Sequence, residues 1–143
     1  MRHLSYSLAI LIAATLFAAD EKPKSDKEMI QGTWDIVSTG ELGKPQSATG
    51  RQIIFAANIM TYKDKEFFRP GIQYKLDATK KPKEIDTSHE LDPGNPIIQL
   101  GVYSLDGDTL KLRLAAAGEP RPAKLEPKAG EFFVCKRVKK EGK

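Results

Sequence analysis

The chain has 143 residues, with 23 lysines and arginines against 19 aspartates and glutamates, a formal net charge of +4. That length suits one domain. Basic residues cluster only at 22–27, 80–83 and 136–143, acids interrupt two of these clusters, and no basic stripe interleaves with aromatics, so no nucleic-acid partner is expected. One cysteine, Cys135, excludes an intramolecular disulfide, and Cys135 with His89 falls short of the four ligands of a structural zinc site.

Arg2 and His3 precede an apolar run over 4–17, followed by the small residues Ala18 and Ala19. Residues 1–19 therefore read as a secretory signal. The run has 14 residues, and a helix needs about 20 to span a bilayer. No transmembrane segment is expected after cleavage, and loss of Arg2 leaves a net charge of +3. The expected location is periplasmic or secreted.

Residues 20–27 are charged and lack large apolar side chains, which predicts a flexible lead-in to a domain over 28–140. One helical turn is predicted over 27–31, with Met29 and Ile30 facing inward. Helical periodicity appears nowhere else. Strand signals follow at 33–39, 51–57, 59–63, 71–77, 84–88, 97–106, 109–115 and 131–139. The clearest alternation is Ile72, Tyr74 and Leu76 against Gln73, Lys75 and Asp77, repeated by Leu110, Leu112 and Leu114 against Lys111 and Arg113. Glycines 40, 43 and 50 with Pro45 mark a loop, Asp92-Pro93-Gly94-Asn95-Pro96 is a breaker, and Asp106-Gly107-Asp108 is a hairpin signal. Three prolines place a loop over 118–127. Eight strands joined mainly by short turns pair antiparallel and predict an all-β, eight-stranded up-and-down barrel, with a two-sheet sandwich as the alternative.

Several segments together resemble a known family. They are Gln31-Gly32-Thr33-Trp34, residues 74–86, residues 101–111, Gly118-Glu119-Pro120-Arg121-Pro122 and Lys136-Arg137-Val138-Lys139. The set is similar to a lipocalin-like domain of exported proteins abundant in planctomycete bacteria, over about residues 28–140. The family is largely without assigned function. Its wider relatives, the lipocalins, hold small apolar or amphipathic molecules inside the barrel. The resemblance implies that Trp34 packs at the closed end beneath a basic residue from the last strand region, for which Arg137 is the candidate. Members often carry cysteine where this chain has Arg113, so no thiol role for that strand carries over.

Chemistry is sparse. His89 lies in Asp86-Thr87-Ser88-His89-Glu90-Leu91-Asp92, but Ser88 and His89 point to opposite faces of an extended strand and form no nucleophile–base pair. Asp86, Ser88 and Glu90 share a face without the ligand rhythm of a calcium loop. The segment reads as a solvated loop, and no catalytic residue, metal or cofactor is expected. Cys135, inside an apolar strand, reads as a small buried hydrophobe.

The alternating faces carry the better indication. Ile36, Ile72, Tyr74, Leu76, Val102, Tyr103, Leu110, Leu112 and Leu114 supply an apolar lining. Tyr62, Tyr74 and Tyr103, with Leu112, are the candidate ligand-binding residues, since their hydroxyls can orient a ligand in an apolar cavity. Eight strands enclose either a filled core or one small ligand. The sequence therefore supports an exported, non-enzymatic module for a small apolar or amphipathic molecule. The alternative is an envelope structural or protein-interaction module with a filled barrel, acting through surface residues such as Phe67 and Phe68. A third reading is an enzyme with chemistry around His89. Oligomeric state is not legible.

Overall fold

A computed structural model describes residues 21–41, 44–47, 50–127 and 131–140; the predicted signal over 1–19 lies outside them. A short helix α1 (Asp26–Met29) precedes nine strands: β1 (Gly32–Glu41), β2 (Lys44–Ser47), β3 (Gln52–Ala56), β4 (Ile59–Lys63), β5 (Ile72–Asp77), β6 (Lys83–Asp92), β7 (Asn95–Asp106), β8 (Thr109–Leu114) and β9 (Glu131–Arg137). All neighbouring strands are antiparallel, and β9 returns to pair with β1 from Trp34↔Arg137 to Gly40↔Phe132. Without β2, the remaining eight form a closed up-and-down barrel, which satisfies the sheet edges an open arrangement would leave bare.

The lead-in ends earlier than its composition predicts. Ser25 caps α1, its hydroxyl accepting from the Glu28 N–H while the Glu28 carboxylate accepts from the Ser25 N–H. Asp26 and Lys27 therefore belong to the helix. Ile30, which ends it, is fully buried.

Strand β2 occupies what the glycines and Pro45 mark as a loop. The pairing explains it: β3 covers β1 only from Gly32 to Asp35, and β2 covers it from Ser38 to Glu41. A strand as long as β1 needs both partners to satisfy that edge. A bulge at Val37 also resets the alternation of β1. Trp34 and Ile36 face inward, and beyond the bulge it is Thr39, opposite Phe133, that continues the inner face.

The predicted solvated loop around His89 is instead strand. β6 runs to Asp92 and β7 starts at Asn95, so the Pro93-Gly94 breaker makes a tight hairpin. Cross-strand pairing outweighs the polar composition, and the Glu90 carboxylate accepts from the Gly94 N–H at 2.6 Å, holding the turn. Since β5 stops opposite Ser88 and β8 stops opposite Gly101, the tip of this hairpin projects beyond the wall as a two-stranded ribbon.

Val102 and Tyr103, both assigned to the lining, cannot share a face. Tyr103 points inward opposite Leu112. Val102 lies on the other face, opposite Glu84 and Arg113, yet is 1% exposed. Residues 115–127 strap that face: Arg121 reaches Asp86 at 2.6 Å and Glu84 at 3.5 Å and donates to the Gly101 carbonyl, while Arg113 donates to the Lys124 carbonyl.

Candidate functional site

The two ends of the barrel differ in kind. The end that carries α1 and the β3–β4, β5–β6 and β7–β8 turns is packed solid. Trp34, Phe55, Tyr103, Ile36, Ile85, Leu110 and Cys135 are at most 2% exposed there and in the adjoining core. The Trp34 indole N–H donates to the Ile30 carbonyl at 2.8 Å. The Arg137 guanidinium lies over the indole face, 4.2 Å from the ring centroid, a cation–π contact strengthened by partial desolvation. Its Nη1 donates to the Gln31 carbonyl at 2.9 Å, its Nη2 to the Met29 carbonyl, and its Nε to Asp108 at 3.2 Å. Gly32 has a φ of +117°, a backbone conformation that residues with a side chain rarely adopt, while a Cβ there would meet Arg137 Nη1 only at ordinary contact distance, 3.5 Å. The Gly-x-Trp pattern thus has a local physical cause.

Two of the four candidate ligand residues belong to this packed end. The Tyr74 hydroxyl donates to the Ala57 carbonyl and accepts from Gln31 Nε2, both at 2.9 Å. The Tyr103 hydroxyl donates to Asp26 at 2.8 Å, and Lys83 Nζ reaches the same carboxylate oxygen at 2.7 Å. Burial, the Asp26 hydrogen bond and the Asp26 charge all push the Tyr103 hydroxyl well above the usual phenol range. Both tyrosines tie the N-terminal turn to the wall and are not available to orient a ligand. Burial likewise pushes the Cys135 thiol up to about 12, with a smaller contribution from the Asp35 carboxylate. Such a thiol is not a ready nucleophile at neutral pH.

The opposite half of the barrel is hollow. A cavity of about 240 Å³ has Ile53, Met60, Leu112, Leu114 and Phe133 as its apolar lining, with Thr39 and Tyr62 adding hydroxyls. Phe132, Arg51, Arg69 and Glu131 complete it. Arg51 pairs with Asp64 at 3.2 Å, and the Arg69 guanidinium lies 5.4 Å from the centroid of the Tyr62 ring. Tyr62 also tilts against Phe133, with ring centroids 6.5 Å apart. Tyr62 and Leu112, the other two candidates, therefore line one space.

Arg51 and Arg69 lie outside the alternating lining pattern. Their signal was their place beside the ends of β3 and β4, where a side chain reaches the mouth of a barrel without belonging to its inner face. His89 stands on the ribbon opposite Ile97, away from the cavity lining. Asp86, held by Arg121, and Glu90, held by its turn, do not converge on a cation. Among the described residues no group of three or more His, Cys, Asp or Glu side chains is arranged to hold a metal, and no helix is long and apolar enough to cross a membrane.

Compared with protein-family models, with curated proteins and with solved structures, the chain finds no match.

Proposed function

We propose that the chain is an exported, non-enzymatic binding module of the lipocalin-like kind, which holds a small apolar or amphipathic molecule in the open half of its barrel. The observation that carries this reading is the cavity of about 240 Å³. Its apolar floor favours a hydrocarbon portion, and Arg51 and Arg69 with the Tyr62 hydroxyl favour a polar head at the mouth. The volume lies below the roughly 300–1,000 Å³ of drug-sized sites. The ligand is accordingly short, or leaves its head in the mouth. The signal pattern over residues 1–19 supports the export part of this reading.

Native mass spectrometry of the protein purified from the cells that make it tests this directly. The expected result is a reproducible extra mass that disappears on denaturation and is displaced by an added amphiphile. A bare protein mass, with no uptake of medium-chain carboxylates or alcohols, would sink the proposal.

A further inference from the structure

The exposed apolar side chains of this protein are not scattered. Among the described residues seven large hydrophobics stand exposed, and five of them belong to two connections at the open end. Phe67 and Phe68, 67% and 70% exposed, sit side by side between β4 and β5. Leu91, Ile97 and Ile98 sit on the projecting β6–β7 ribbon. The other two, Val37 and Val138, lie on the barrel wall and just past β9.

The Phe67-Phe68 connection is held in shape. The Asp64 N–H donates to the Phe67 carbonyl at 2.8 Å, the Arg69 N–H donates to the Tyr62 carbonyl at 3.2 Å, and Lys63 bridges Phe68. Fixing the backbone so that two aromatic rings face solvent disfavours the isolated molecule, and removing them from water rewards a partner. Lys63, Lys65 and Arg69 flank the rings on the same short segment, and Arg51 stands beside it in its pair with Asp64. Against these cations the segment sets Asp64, which Arg51 holds, and Glu66. On the ribbon, Glu90 is turned back onto Gly94, leaving Asp92 as the acid at its tip.

Aromatic rings beside lysine and arginine are the composition that seats at a lipid headgroup boundary: the rings enter the apolar layer and the cations stay with the phosphates. We infer that the open end, through Phe67 and Phe68 and their flanking Lys63, Lys65 and Arg69, docks on an anionic lipid surface. The docked protein presents the mouth of its cavity to the bilayer. This surface stands independently of what the cavity holds.

The test uses the full chain with a tryptophan reporter at each end, Phe68→Trp and, at the opposite end, Val138→Trp. Wild-type protein supplies the background, because its single tryptophan, Trp34, is fully buried. Each protein is mixed with vesicles of phosphatidylglycerol and phosphatidylcholine, or of phosphatidylcholine alone, with and without brominated lipid. The Phe68→Trp emission is expected to shift to the blue and to be quenched by brominated lipid on the anionic vesicles, with the effect fading as salt rises. The Val138→Trp signal is expected to stay put, which separates this end from any attachment through the apolar residues 4–17. In the wild-type background, Phe67→Ser/Phe68→Ser should reduce partitioning by about tenfold or more, as expected for two partly buried aromatic side chains, without lowering the unfolding midpoint. A silent Phe68→Trp reporter, an equal response from Val138→Trp, or equal binding to neutral vesicles overturns the inference. So does self-association of the wild type that depends on Phe67 and Phe68 and excludes vesicles. Ligand loss from the cavity leaves these outcomes unchanged, so the two proposals fail separately.

Discussion

The closed and open ends of this barrel are built from the same strands by opposite rules. At the closed end every long polar side chain that turns inward is spent on the protein itself: Arg137 on Trp34 and two carbonyls, Tyr74 on Ala57, and Tyr103 with Lys83 on Asp26. At the open end the aliphatic lining stops short of filling the space, and Arg51, Arg69 and Glu131 border what remains. One end is packed by its own side chains and the other keeps a cavity. The difference teaches that position along a strand, more than residue type, decides whether a barrel tyrosine is structural or available.

That contrast can be broken by substitution. Trp34→Ala should have the largest effect, about 3–5 kcal/mol of lost stability, because it empties a fully buried site; urea unfolding measures it. Arg137→Ala should follow, at about 2–3 kcal/mol, since it removes the cation–π contact and leaves the Met29 and Gln31 carbonyls without their donor. Its second signature is a red shift of Trp34 emission. If the midpoint and the emission both stay unchanged, Arg137 does not plug this end. Tyr103→Phe should cost about 1 kcal/mol, the net value of one hydrogen bond with Lys83 still on Asp26. At the open end, Arg69→Ala should stay within about 0.5 kcal/mol of wild type, as an exposed surface change does, while weakening amphiphile binding. An Arg69→Ala variant as unstable as Arg137→Ala would erase the distinction.

Alkaline titration sharpens the same comparison. Burial raises the Cys135 thiol from its ordinary 9.0 to about 12 and raises the Tyr103 hydroxyl from 10.0. A group raised in the folded state holds its neutral form more firmly than the unfolded chain does, so its stabilising contribution is complete below the unfolded value. It is lost as pH rises toward the folded value. The unfolding midpoint should therefore hold through neutral pH and fall from about pH 9 toward 12, with Cys135→Ala removing the part of the fall nearest pH 9. A profile flat to pH 12 would mean that neither group is buried as described.

The strands were legible because their alternation and turns are local. Asp106-Gly107-Asp108 and the leucines of β8 need no distant partner to be read. Gly32 and Trp34 were legible as a motif, and the reasons for it, a φ of +117° at Gly32 and the guanidinium that Arg137 lays over Trp34, appear only in the structure. The functions of Tyr74 and Tyr103 were not legible, because alternation places a side chain inside without saying at which height. Thr39 escaped because the bulge at Val37 exchanges the two faces midway along β1. Strand β2 and the ribbon around His89 escaped because hairpin pairing with the adjoining strand overrode glycine, proline and charge.

The pairing of β1 with β9 also sets an order of events. The first barrel strand waits for the last, and Trp34 waits for Arg137, so a nascent chain keeps two raw edges and an uncovered indole until β9 is made. Closure therefore requires β9, and a chain truncated before β9 keeps open strand edges for any factor that binds them.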